Sequence, residues 1–104
     1  MALEYDQYID QGTTFSSVIT VNGADLSSAI ITAQMRKSFT SDEYTEFVIV
    51  PIDLVNGKFL ITLDSYATSY IKSGRYVYDV IYRIEDKVVR IMQGIVTINP
   101  MVSR

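Results

Sequence analysis

Residues 75–98 read RYVYDVIYRIEDKVVRIMQGIVTI. Two long runs of β-branched and aromatic residues flank a short polar patch, Glu85, Asp86 and Lys87. Strands favour the first kind of residue and turns the second, so this stretch predicts a β-hairpin. Side chains on a strand alternate between its two faces. In the first run that puts Tyr76, Tyr78, Val80, Tyr82 and Ile84 on one face and Val77, Asp79, Ile81 and Arg83 on the other. The Tyr76 set is larger and more apolar and is assigned to the core. In the second run the set Val89, Ile91, Gln93, Ile95 and Thr97 is apolar except for Gln93, and it is assigned to the core as well. Both runs are long enough to span a small domain, with the other strands packed around them.

Further strand signals precede the hairpin. Leu3 to Ile9 alternates weakly and carries charges that suit an edge strand. Segments at 13–21, 29–36, 44–52 and 58–63 follow, punctuated by Asn22-Gly23 and Asn56-Gly57, dipeptides that tolerate positive φ. Leu26 is placed as a plug at the end of the core. In the third strand Ala29, Ile31, Ala33 and Met35 share a face; in the fourth, Phe47, Ile49 and Pro51 oppose Val48, Val50 and Ile52. Pro51 lacks a donor and belongs at an edge or a strand end. Asp64 or Ser65 reads as a helix N-cap, 65–73 as a short helix, and Gly74 as its C-cap. Seven strands with short turns argue for an all-β antiparallel sandwich rather than a parallel sheet.

The chain has 104 residues, the size of one domain, so 1–104 is read as a single unit. It holds neither Cys nor His, which excludes disulfides, thiolate or imidazole metal sites, and catalysis by either side chain. A net charge of −3 argues against a nucleic-acid-binding face. No apolar run approaches the ~20 residues of a membrane span, and residues 1–10 carry no signal segment, so synthesis in the cytoplasm is expected. No cofactor is expected.

Several pieces together resemble a known group: Gln11-Gly12-Thr13, Gln34-Met35-Arg36, Gly74-x-Tyr76-x-Tyr78-Asp79, and Arg90-x-x-x-Gly94 within a strand ending Val96-Thr97-Ile98. They are similar to small immunoglobulin-like domains of tailed bacteriophages, including marine T4-like phages. The resemblance runs over nearly the whole chain, and none of its motifs is catalytic. It implies an immunoglobulin-like β-sandwich with a non-enzymatic structural or assembly role in a virion, in tail, baseplate or capsid decoration. Its partners would be other virion proteins and further copies of itself. A carbohydrate-binding or adhesive module is the alternative. The approach Gly74-Arg75-Tyr76 is also similar to the corner of immunoglobulin sandwiches, where a Tyr hydroxyl ties a connection to the strand it enters; Tyr76 or Tyr78 would fill that role, or else both are large core residues with hydroxyls at the surface.

Asp79 and Arg90 sit near-opposite on the hairpin and read as a cross-strand ion pair worth about 0.2–1 kcal/mol, or as part of a patch gripping a partner chain. Arg36 is a further cation on a neighbouring strand. Tyr76, Tyr78, Asp79, Arg90 and Arg36 are therefore the candidate structural or interface residues. Asp42, Glu43 and Glu46 lack the spacing of a calcium loop and read as a solvated loop. Asp53, Asp64 and Asp79 are the carboxylates available for hydrolytic chemistry, but a chain this short offers little cleft between them. Tyr66, Tyr70, Tyr76, Tyr78 and Tyr82 read as core and rim, or else as a sugar-stacking platform. The open edges expected to accept a neighbouring chain are Leu3 to Ile9 and the tail 99–104.

Overall fold

The computed structural model describes residues 3–101. Among them, nine strands run in chain order: β1 Leu3–Glu4, β2 Gln7–Asp10, β3 Phe15–Thr20, β4 Ile30–Arg36, β5 Thr45–Glu46, β6 Val48–Asp53, β7 Lys58–Leu63, β8 Gly74–Ile84 and β9 Lys87–Asn99. A 3₁₀ turn, Leu54–Asn56, joins β6 to β7, and one short helix, α1 Ser65–Ser69, joins β7 to β8. One sheet has the order β1-β9-β8-β4-β5, with β2 also on β9; the second has the order β3-β7-β6. In immunoglobulin lettering β3, β7 and β6 are B, E and D, β4, β8 and β9 are C, F and G, and β5 takes the place of C′. The chain is an all-β, immunoglobulin-like sandwich.

The hairpin at the centre forms as its composition dictates. Ile84 pairs with Lys87 across Glu85 and Asp86, and Tyr78, Val80 and Tyr82 face the core. The assignment for β9 needs correction. A bulge between Val80 and Ile81 of the register leaves Ile91 unpaired, so Val89 lies opposite Tyr82 but Met92 lies opposite Val80. One extra residue reverses the alternation. From that point Met92, Val96 and Ile98 fill the core, and Gln93, Ile95 and Thr97 turn away from it.

The fourth predicted strand is two. Thr45–Glu46 pairs with β4 in the larger sheet, Val48–Asp53 pairs with β7 in the smaller, and the buried Phe47 sits at the crossing. The first predicted strand is also two pieces, both parallel to β9 and in the same register on either side of Tyr5 and Asp6. The helix is shorter than 65–73. Asp64 caps its start, its side chain accepting from the Ala67 amide at 2.7 Å, and Tyr70, not Gly74, caps its end. Gly74 instead opens β8 with φ 138°. Leu26 is fully buried, and Ala33 and Met35 face inward.

Without cysteine, the sheets are joined by rings. Phe15 of β3 packs on Phe47 with centroids 5.8 Å apart, and Phe47 meets Tyr78 of β8 edge-on at 6.5 Å. Each such pair adds about 0.5–1.5 kcal/mol beyond area burial. Tyr78 stands two residues after Tyr76, where an immunoglobulin domain places its second cysteine. The Tyr76 hydroxyl donates to the Lys72 carbonyl at 2.7 Å, so Tyr76 forms the corner.

Tyr78 has a different task. Its hydroxyl donates to the Tyr5 carbonyl, which lies over Gly94, the residue opposite Tyr78 on β9. A Cβ at Gly94 would lie 2.3 Å from that carbonyl oxygen. The bare backbone of Gly94 therefore lets the N-terminal segment dip onto the sheet. Asp6 completes the break, its carboxylate accepting from the Ile95 amide at 3.1 Å. Gly94→Ala should destabilise the fold by about 1–3 kcal/mol, the usual cost of overpacking. Hydrogen exchange should show loss of protection concentrated at Tyr5 and Ile95; unchanged protection there would contradict the assigned role of Gly94.

Candidate interaction surfaces

Four of the five candidate residues, Arg36, Tyr78, Asp79 and Arg90, line one small cavity of about 200 Å³ with Gln34, Phe39 and Val77, and Tyr76 lies outside it. Tyr76 and Tyr78 are fold residues, as their hydrogen bonds show. Asp79, Arg90 and Arg36 lie on the solvent face of the larger sheet. Register places Glu4, Gln93, Asp79, Gln34 and Glu46 in one row across five strands. The row is hydrogen-bonded: Gln93 donates to Glu4 at 2.9 Å, and Arg90 donates to Gln93 at 3.2 Å. Arg90 also lies 3.5 Å from the Asp79 carboxylate, the one ion pair among the described residues. Both partners are well exposed, so the pair is worth under about 1 kcal/mol. Asp79 is opposite Gln93, not Arg90; the bulge moves the arginine onto the diagonal.

Arg36 shares that cavity with Asp79 but makes no ion pair with it. Its guanidinium donates to the Ser41 carbonyl at 2.7 Å and to Gln34 at 3.1 Å, and stacks 4.8 Å from the centre of the Tyr44 ring. This turns it toward one end of the sandwich. There the loop after β4 and the turn after α1 enclose an open cleft of about 700 Å³. Arg36, Lys37 and Lys72 line it with Tyr44, Tyr70 and Tyr76, while Asp42 and Glu43 stand on the loop side. The cleft was not legible in the sequence, because its two walls lie about thirty residues apart and only the β4–β8 pairing joins them.

The other sequence candidates scatter. Asp64 caps α1, Asp53 accepts from Asn56 at 2.8 Å, and Asp79 holds Arg90, so each of these carboxylates serves local structure. No group of three acidic residues among the described residues is arranged to hold a metal ion. The tyrosine stripe divides: Tyr78 and Tyr82 are buried, Tyr76 is half-buried, and Tyr66 and Tyr70 pack on each other in solvent with centroids 4.9 Å apart. No helix among the described residues is long and apolar enough to cross a membrane.

The edges differ in character. The N-terminal edge carries Glu4, Asp6 and Asp10, and β5 ends in Glu46. Met101 is tied back by its amide, which donates to Gln11 at 3.0 Å; residues 102–104 of the predicted tail edge lie outside the described residues. The smaller sheet has two edges, β3 and β6; β6 bears no charge from Val48 to Ile52 but contains Pro51 and a register shift before Asp53. Val48 is 57% exposed and Ile52 51%, and Val50 shares a row with Leu60 and the exposed Val18.

No protein-family model and no curated protein matches this chain. Solved structures do. InlP of Listeria monocytogenes aligns over 92% of this chain and 26% of its own, with TM-score 0.53 and 19% identity. A Bacteroides vulgatus protein whose name proposes glycoside hydrolase activity aligns over 91% of this chain and 16% of its own, with TM-score 0.53 and 11% identity. The chain thus spans about a quarter of the first protein and a sixth of the second. The extracellular domains of the voltage-gated sodium channel beta4 subunit, described as parallel homodimers with a role in cell–cell adhesion, align over 98% of this chain and 96% of theirs at TM-score 0.45 and 12% identity. At these identities the likeness is one of fold.

Burial of Tyr78 gives the fold a pH limit. Loss of solvent pushes its phenol up to about 12, and the nearby Asp6, Tyr5 and Glu4 act in the same direction. The folded protein thus holds the proton more tightly than the unfolded chain does. The stabilisation is complete below pH ~10, the unfolded value, and fades as pH rises toward about 12. Urea midpoints should fall across that window, and the fall should be smaller in Tyr78→Phe than in the parent. Equal alkaline sensitivity of the two would contradict this origin.

Proposed function

We propose that this chain is a non-enzymatic assembly module of a tailed-phage virion, acting through the open edge of its smaller sheet. The observation that carries the reading is β6. It is an unpaired edge whose Val48–Ile52 run is apolar and uncharged, interrupted by Pro51 and by a register shift before Asp53; β3, the other edge of the same sheet, is also uncharged but mixes Ser16, Ser17 and Thr20 with its apolar residues. Natural sheets blunt their edges with lysine, proline, bulges or covering loops; Pro51 and the register shift after it blunt the far end of β6, so the pairing is assigned to Val48–Val50. The occupant is a second copy of the chain. Antiparallel pairing of β6 with β6 about a two-fold axis is self-complementary: every residue contact is returned by symmetry. It would extend the three-stranded sheet into six strands and bring the Val18, Leu60 and Val50 rows together. Because the edge is neutral, the net charge of −3 on each copy is kept away from the contact. The virion setting rests on the sequence resemblance. The residues of that resemblance, Gly74, Tyr76, Tyr78, Asp79, Arg90 and Gly94, maintain the fold, which leaves the exterior to supply function.

Light scattering across a concentration series should show a dimer that Val50→Lys converts to monomer without loss of thermal stability. Antibody against the chain should label purified particles of the source phage. A protein that stays monomeric at every concentration, and is absent from particles, would overturn the proposal.

A further inference from the structure

The end cleft carries three cations, Arg36, Lys37 and Lys72, and two exposed tyrosines, Tyr44 and Tyr70, beside the corner residue Tyr76. Among the described residues no carboxylate comes within 4.0 Å of Arg36, Lys37 or Lys72, although Asp42 and Glu43 line the same cleft. Lys37 places its ammonium 4.8 Å from the centre of the Tyr76 ring. The Tyr76 hydroxyl in turn holds the Lys72 backbone through the corner hydrogen bond, which fixes where the Lys72 side chain begins. Neither ammonium donates a hydrogen bond to another described residue, and both side chains are exposed, so their N–H groups are available to a ligand. Arg36 is held by Ser41, Gln34 and the Tyr44 ring, which fixes its planar fork before any ligand arrives.

The rings are held in a similar way. Arg36 backs Tyr44 and Tyr66 backs Tyr70, yet 52% of Tyr44 and 73% of Tyr70 remain in solvent. Exposed rings fixed by a neighbour lose little freedom on binding. Their electron-rich faces attract the polarised C–H groups of a sugar ring. Cations close to such rings select a ring that also carries an anionic substituent. A cleft of about 700 Å³, open to solvent, accommodates a unit or two of a longer chain that continues outside it.

We propose that this cleft binds an anionic saccharide: a sugar stacked at Tyr70 and Tyr44, with its carboxylate or sulfate between Lys37 and Lys72. The site lies on the opposite sheet from β6 and does not depend on the assembly reading. The test is a titration of isotope-labelled Val50→Lys protein, followed by amide and side-chain shifts. The probes are a galacturonic acid tetrasaccharide, a sulfated galactose tetrasaccharide, the neutral galactose tetrasaccharide and a tetraglutamate peptide. One or both anionic sugars should give saturable shifts at Lys72, Tyr70 and Tyr44 that weaken with added salt; which of the two does so assigns the anion. Lys37→Gln and Lys72→Gln should each weaken binding about tenfold, the scale of one charge-assisted contact, and Tyr70→Ala at least as much. These side chains are exposed, so the variants should keep the parent spectrum elsewhere. Absence of saturable shifts with both anionic sugars would overturn the proposal. So would equal binding of the neutral sugar, or equal binding of the peptide, which would assign the cleft to acidic protein segments instead.

Discussion

With no cysteine to fasten its layers, this sandwich depends on what meets at Tyr78. Its ring closes the aromatic bridge from Phe15 through Phe47, joining the two sheets. Its hydroxyl reaches the Tyr5 carbonyl over Gly94, joining the N-terminal segment to the last strand. One side chain thus does the work of a disulfide and a clasp together. The hydroxyl would be costly to bury without a partner, so the position of Tyr5 is fixed by the need for an acceptor as much as by strand pairing. The Tyr76 corner, two residues earlier, fixes how the chain enters the same strand.

Anchoring so much of the fold in the β8–β9 hairpin frees the rest of the surface. The polar row from Glu4 to Glu46 is tied at its β1–β9 end by the hydrogen bonds of Gln93 to Glu4 and Arg90 to Gln93, and Arg90 reaches Asp79. The acidic N-terminal edge discourages pairing there. What remains uncommitted is the neutral β6 edge on one sheet and the cation-lined cleft at the end of the other. The first is the surface proposed for contact with a like chain, and the second the one proposed for a charged sugar.

Much of this architecture was legible in the sequence. Alternation in 76–84 divided β8 into two faces without deciding between them, the greater bulk of the Tyr76 set favoured the face that is buried, and the spacing of turn dipeptides pointed to a sandwich. The departures all arise where a local pattern yields to a tertiary one. Residues 88–98 alternate smoothly on paper, and only the two-against-one pairing at Ile91 reverses the faces. Residues 45–53 read as one strand because both halves are extended; nothing local tells that Phe47 carries the chain between sheets. Gly74 looked like a helix cap because it follows helical spacing, yet its φ of 138° serves the start of β8, where the Lys37 ammonium lies 3.0 Å from the place a Cβ would take. For the interaction surfaces, Asp79 and Arg90 were readable as a pair, but Arg36 was not separable from them. Its loop partners Ser41 and Tyr44 become neighbours only when the β4–β5 connection folds back.

The claim on which the account turns is that Gly94 and Tyr78 act as one device, the first making room for the acceptor that the second requires. A double-mutant cycle on Gly94→Ala and Tyr78→Phe, read from urea unfolding at pH 7, measures this directly. If Gly94→Ala displaces the Tyr5 carbonyl, the hydroxyl has already lost its acceptor, and removing it should then cost less than in the parent. The account predicts a coupling of about 0.5–1.5 kcal/mol, the net worth of the shared hydrogen bond. Strictly additive effects would show that the two positions act independently, and would contradict it.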